Sequence, residues 1–191
     1  MRQFLKAVAG TLHQWRRLAR DGKAAAVVEF AGLLPFMLLL YVGGVEVALG
    51  VSADRKVTLT SRTVADLASR QTNIDDPTMT NILGASSAVI APFDATKVSV
   101  IVSNVYINNQ GVAHVCWSNA LNTTARTVGS TVTLPAALVN KNTALMWGEA
   151  SYAYAPTLGY YMTGTMTLYD NIYMAPRMSS TVTRNSAAGS C

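Results

Sequence analysis

An apolar run from Ala24 to Gly50, broken only by Glu29 near its start and Glu46 near its end, constrains this chain more than any other feature. About 20 mostly apolar residues suffice for a helix to cross a bilayer. The stretch after Glu29 is longer than the apolar core of about 7–15 residues in a cleaved secretory signal, so the run predicts a retained transmembrane helix. Pro35 is compatible with that, because membrane helices accept a kink. An ionised carboxylate inside such a segment costs about 2.5–3.5 kcal/mol at mid-membrane and less near an interface. Glu29 is therefore a candidate functional residue, and its own helix offers no partner for its charge. Glu46 lies where a carboxylate reaches headgroup water.

The residues before the run give it direction. Arg2, Lys6, Arg16, Arg17, Arg20 and Lys23 stand against Asp21 alone, an excess that equals the net charge of +5 of the whole 191-residue chain. Basic flanks stay cytoplasmic, so the expected orientation is N-terminus in and C-terminal domain out. The remainder of the chain is close to neutral. The basic balance is thus a topology signal, and no nucleic-acid partner is expected.

Beyond the run, about 140 residues remain, enough for one modest domain with its own core. Ser52 to Gln71 reads as a continuation of the helix, with Val57, Leu59, Val64, Leu67 and Ala68 as a moderate apolar stripe. Asp75-Asp76-Pro77 reads as a helix start, an acidic N-cap followed by proline. Met79, Ile82, Leu83 and Ala88 to Ile90 supply the apolar face, and Pro92 ends the helix. After Pro92 the period changes to two. Val98 to Ile107 and Val112 to Ser118 flank the turn cluster Asn108-Asn109-Gln110-Gly111 and read as a hairpin. Thr127 to Leu134 is a short strand, Pro135 to Val139 a loop or helical turn, and Trp147 to Ala155 a further strand. Pro156 to Gly164 is a loop, and Thr165 to Thr183 a last strand broken around Pro176, as at a sheet edge. The expected fold class is α+β: a long N-terminal transmembrane helix, then a small antiparallel sheet with a short extra helix. The expected segments are a basic leader at 1–24, the membrane helix at 25–50, its extension at 51–71 and the outer domain at 72–191.

The residues offer little chemistry. No Gly-x-Ser-x-Gly elbow, phosphate-cradling glycine loop or His-Glu-x-x-His is present, and no catalytic residue, cofactor or enzyme activity is expected. His114 and Cys116 share a strand face, but two ligands make no zinc site, so no metal is expected. His13 belongs to the leader. Glu149 is expected as a surface or edge charge. Tyr152, Tyr154, Tyr160, Tyr161, Tyr169 and Tyr173 crowd the later part of the chain and are expected to pack half-buried on strands. Gly32, Gly43 and Gly44 are small enough to admit a neighbouring helix. Cys116 and Cys191 both lie on the outer side, where a disulfide is permitted. A Cys116–Cys191 bridge would close a loop of about 75 residues and constrain the unfolded chain by about 4 kcal/mol. Two free thiols, or a Cys191 bridge between chains, are the alternatives.

Three segments resemble TadE-like minor pilins, in the type IV pilin superfamily, of the tight-adherence (Tad/Flp) system. They are Arg20-Asp21-Gly22 with Ala25-Ala26-Val27-Val28-Glu29-Phe30-Ala31 and Leu33-Leu34-Pro35; Arg62-Thr63-Val64-Ala65-Asp66-Leu67-Ala68; and Glu149 to Pro156 with Ala175-Pro176-Arg177 downstream. The resemblance implies a type IV pilin-like fold and a single-pass protein of the bacterial inner membrane, N-terminus cytoplasmic, whose outer domain is periplasmic or carried into a surface pilus used in adhesion. It implies as partners a prepilin peptidase, other pilin subunits and the pilus assembly platform, in a homo- or hetero-oligomer. It assigns Glu29 and Phe30 to assembly and places processing at Gly22, Lys23, Ala24 and Ala25, with the cut after Ala24 or after Gly22. Cleavage would create an α-amine, and that of a neighbouring subunit is a natural partner for Glu29. At an effective dielectric near 20 and about 4 Å, such a pair gains about 4 kcal/mol before desolvation. Alternatively Glu29 snorkels to the cytoplasmic interface. An uncleaved bitopic protein, whose outer domain binds a partner or scaffolds a secretion complex, is the alternative to a pilin.

Overall fold

The computed structural model describes residues 22–156 and 164–185. The chain divides into two units, residues 1–47 and 48–191. One helix, α1 (Gly22–Ser69), contributes to both and contains Pro35. In the first unit no residue from Ala25 to Val47 is buried.

In the second unit α1 presents a buried stripe of Ala53, Val57, Thr60, Ser61, Val64, Ala65 and Ala68. These positions recur at the helical spacing of three and four. The stripe differs from the expected one in that Leu59 is 49 % exposed, while hydroxyl residues, Thr60 and Ser61 among them, go inside. Each hydroxyl is satisfied on its own helix: Thr60 Oγ1 donates to the Lys56 carbonyl at 2.8 Å and Ser61 Oγ to the Thr58 carbonyl at 2.9 Å. A backbone-bonded Ser or Thr then buries as a small side chain. The small stripe lets the helix approach the sheet closely. At Gly148 the approach is so close that a Cβ there would meet the Ser61 carbonyl oxygen at 2.6 Å and the Ala65 Cβ at 2.8 Å.

The second helix, α2 (Asp76–Ile90), begins where expected. Asp75 is its N-cap and accepts from the Thr78 amide at 2.8 Å, with Pro77 in the first turn. Met79, Ile82, Leu83, Ser86 and Ile90 are its buried face.

Five antiparallel strands follow: β2 (Val98–Ile107), β3 (Ala113–Leu121), β4 (Thr131–Val132), β5 (Thr143–Tyr154) and β6 (Met166–Met174), in the sheet order β4-β3-β2-β5-β6. The β2–β3 turn is held by Asn108, whose Oδ1 accepts from the amides of Gln110 and Val112 at 2.9 Å each, and by Gly111 at φ +84°. β5 begins four residues before the expected Trp147, because Thr143 to Met146 pair with the far end of β2. A register shift at Asn104/Val105 puts a bulge in β3, where Cys116 and Trp117 both join the main core. β6 stops at Met174, before Pro176, where a ladder donor would be missing. The expected last strand is therefore two: past Pro176 the chain leaves the sheet and ends in β7 (Thr183–Arg184), which pairs in parallel with β1 (Asn73–Ile74).

Alternation along β2 and β5 separates two cores. Val98, Val100, Val102, Met146, Ala150, Tyr152 and Tyr154 face the buried stripes of α1 and α2 and form the main core. Val105, Ile107, Ala113, Leu134 and Trp147 form a smaller cluster. Residues 175–185 tie the sheet to the helices. The Val182 carbonyl accepts from both Asn104 Nδ2 and Trp117 Nε1 at 2.7 Å each, the Arg177 amide donates to the Ser69 carbonyl at 2.8 Å, and Arg177 pairs with Asp66 at 2.6 Å. This is the α+β architecture expected from the sequence, enlarged by one strand pair.

Candidate functional site

The described part of the first unit, residues 22–47, is an apolar helical surface. Val27, Val28, Phe30, Leu33, Phe36, Met37, Leu38, Leu39, Leu40 and Tyr41 are each more than half exposed. Alanine and leucine are strong helix formers, and a helix satisfies its own backbone, so the run needs no other element to fold against. An apolar face of this extent on a water-soluble monomer would be an association site in its own right. This helix is long and apolar enough to cross a membrane.

Glu29 and Phe30 are exposed on that surface, 58 % in the case of Phe30. The glycines expected to admit a neighbour, Gly32, Gly43 and Gly44, have nothing within 4 Å of where a Cβ would stand. Gly22 opens the helix, so the bonds after Gly22 and after Ala24 lie in its first turn, and Ala25 is exposed. The side chains of Lys23 and Ala24, and the cationic leader before Gly22, lie outside the described residues.

The second unit holds a polar cluster that the sequence reading placed wrongly. Glu149 is not a surface or edge charge: it lies on β5, between β2 and β6, and is 5 % exposed. Its carboxylate is held bidentately by Arg126, Nε to Oε2 at 2.8 Å and Nη2 to Oε1 at 2.7 Å, and accepts the Tyr169 hydroxyl at 2.8 Å. The Arg126 guanidinium lies 3.7 Å from the centroid of the Trp147 ring, which stacks on Tyr173 at 5.2 Å. The bond to Glu149 raises the Arg126 pKa, and the phenol of Tyr169 is pushed up to about 12 by loss of water around it and by its bond to Glu149. Both shifts hold Arg126 charged and Tyr169 neutral, which suits a structural clamp between the 122–130 loop and the sheet. No signal in the sequence pairs Arg126 with Glu149, because the two meet only when that loop folds over β5.

Tyr152 and Tyr154 pack on the core face as expected, Tyr173 is half-buried, Tyr169 is 53 % exposed, and Tyr160 and Tyr161 lie outside the described residues. His114 is half-buried beside Asn108. Among the described residues no three of His, Cys, Asp or Glu gather as a metal site. A dimple of about 50 Å³ is lined by Glu149 with Ser99, Thr123, Ser151 and Tyr169. Cys116 is buried on β3 and disulfide-bonded, and Cys191, the other cysteine of the sequence, lies outside the described residues.

Residues 24–66 match the family model of TadE-like proteins. The match covers the apolar run with Glu29 and the buried stripe of α1 as far as Asp66. No curated protein and no solved structure matches the chain.

Proposed function

We propose, from the TadE-like segment at residues 24–66, that this chain is a membrane-anchored minor pilin that takes part in building a Tad-type surface pilus. The single observation that carries the reading is that this segment coincides with an exposed apolar helix bearing one carboxylate near its start. Such a helix is satisfied by lipid or by other helices of its kind, and a filament provides both in turn. The helix crosses the inner membrane with the cationic leader in the cytoplasm and the outer unit outside. A prepilin peptidase removes the leader, after Gly22 or after Ala24, and the exposed α-amine of a neighbouring subunit neutralises Glu29. The carboxylate then favours association over the lone helix. Cys116 pairs with Cys191 in the oxidising outer compartment.

The intact mass of the protein from membranes, with and without the peptidase, tests the reading. A peptidase-dependent loss of residues 1–22 or 1–24 is expected. An unchanged mass identifies a permanently anchored bitopic protein instead. Glu29→Gln is expected to leave membrane insertion intact and to reduce pilus production at least tenfold, because about 4 kcal/mol of pairing is at stake. Pili at the wild-type level would remove Glu29 from assembly.

A further inference from the structure

The cations of the outer unit fall into two groups. Arg70, Arg126, Arg177 and Arg184 each pair with a carboxylate. Arg55 and Lys56, which follow the apolar run on α1, make no ion pair among the described residues, and Arg55 is exposed. Arg62, Lys97 and Lys141 also make no ion pair among the described residues, and of these unpaired cations Arg55 and Lys56 stand nearest the end of the apolar run. Asp54 is the acid beside them, and it too makes no ion pair among the described residues. One turn before Arg55, on the same side of the helix, Val51 is 47 % exposed.

Height along the helix decides what can meet this pair. At about 1.5 Å rise per residue, Arg55 and Lys56 stand about 7–9 Å beyond Gly50, where the apolar run ends. The polar layer of a bilayer extends about 5–7 Å beyond the hydrocarbon on each side. Helical side chains tilt toward the N-terminus, which here is back toward the membrane. Both cationic heads thereby fall at the level of lipid phosphates, while Val51 sits at the acyl boundary. Arg62, about 18 Å beyond Gly50, falls outside that layer.

We propose that Arg55 and Lys56 bind the phosphates of anionic phospholipid in the leaflet facing the outer unit, fixing the depth of the helix and gathering that lipid around it. The inference rests on the membrane-spanning reading above and goes beyond it in naming a ligand.

The test uses the full chain reconstituted in one orientation in phosphatidylcholine vesicles, with orientation verified by protease access. Spin-labelled phosphatidylglycerol or phosphatidylcholine is then added to the leaflet facing residues 48–191, and the fraction immobilised at the protein is read. The expected result is a preference of about fivefold or more for the anionic lipid. The double variant R55Q/K56Q is expected to abolish it, and R62Q to leave it unchanged. Equal association of the two lipids, or a preference that survives R55Q/K56Q, overturns the proposal. So does a preference abolished by inorganic phosphate at matched ionic strength, which would make free phosphate the ligand. A chain that fails to insert fails the membrane reading as well, whereas insertion without lipid preference fails this inference alone.

Discussion

Gly148 shows how one absent side chain sets a distance between layers. Its neighbours across the gap include a backbone carbonyl of α1, which cannot swing aside as a long side chain would. Gly148→Ala is therefore expected to push the helix from the sheet and cost about 1–3 kcal/mol, read as a lower denaturation midpoint. Tyr169 gives a second expectation, in pH. Its phenol titrates near 12 in the folded protein against about 10 when unfolded, so the unfolded chain releases that proton first. The stabilisation is complete below pH 10 and is lost as pH rises toward 12. Thermal melts of wild type and Tyr169→Phe are expected to converge over that interval. Neither residue announces its role in the sequence. Gly148 looks like a weak point in a strand, and Glu149 beside it looks like an exposed charge, because burial of a carboxylate depends on an arginine 23 positions away.

At the scale of elements, local chemistry was the legible part. The Asp75 cap and Pro77 locate the start of α2, and Asn108 with Gly111 locates the hairpin, because each is a bond or backbone angle settled within a few residues. Asp75→Ala is expected to cost about 1 kcal/mol and to leave the sheet intact, as checked by chemical denaturation and far-UV dichroism. The same reading failed where an element depends on distant partners. The outer half of α1 looked only moderately amphipathic because its buried stripe uses threonine, serine and alanine to get close to the sheet. The last strand, expected to be broken or bulged around Pro176, stops before it, and a separate strand two residues long follows, held by pairing with residues 110 positions earlier. No local pattern marks a strand of that length. Glu29 stands out in the sequence for another reason: a carboxylate in an apolar run is conspicuous whatever the fold.

At the scale of the whole molecule, the two units obey different rules. The first exposes its apolar surface along α1 and folds by backbone hydrogen bonding. The second buries a conventional core and then fastens it from the far side. If Cys116 pairs with Cys191, reduction is expected to lower the stability of the outer unit by about 4 kcal/mol, and Cys191→Ser is expected to reproduce that loss without reductant. Equal melting temperatures with and without reductant would show that this bridge does not constrain the unfolded chain.

The Val182 carbonyl carries a consequence for timing. It accepts the hydrogen bond of the Trp117 indole and one of two from the Asn104 amide, both deep in the core, yet it comes after all five strands of the sheet in the sequence. As the second unit is made in chain order, every strand of the sheet can form and the centre of the domain will still hold two donors without their acceptor. Closing the core thus waits for a residue near the end of the domain, and a chain stopped before Val182 keeps its core open.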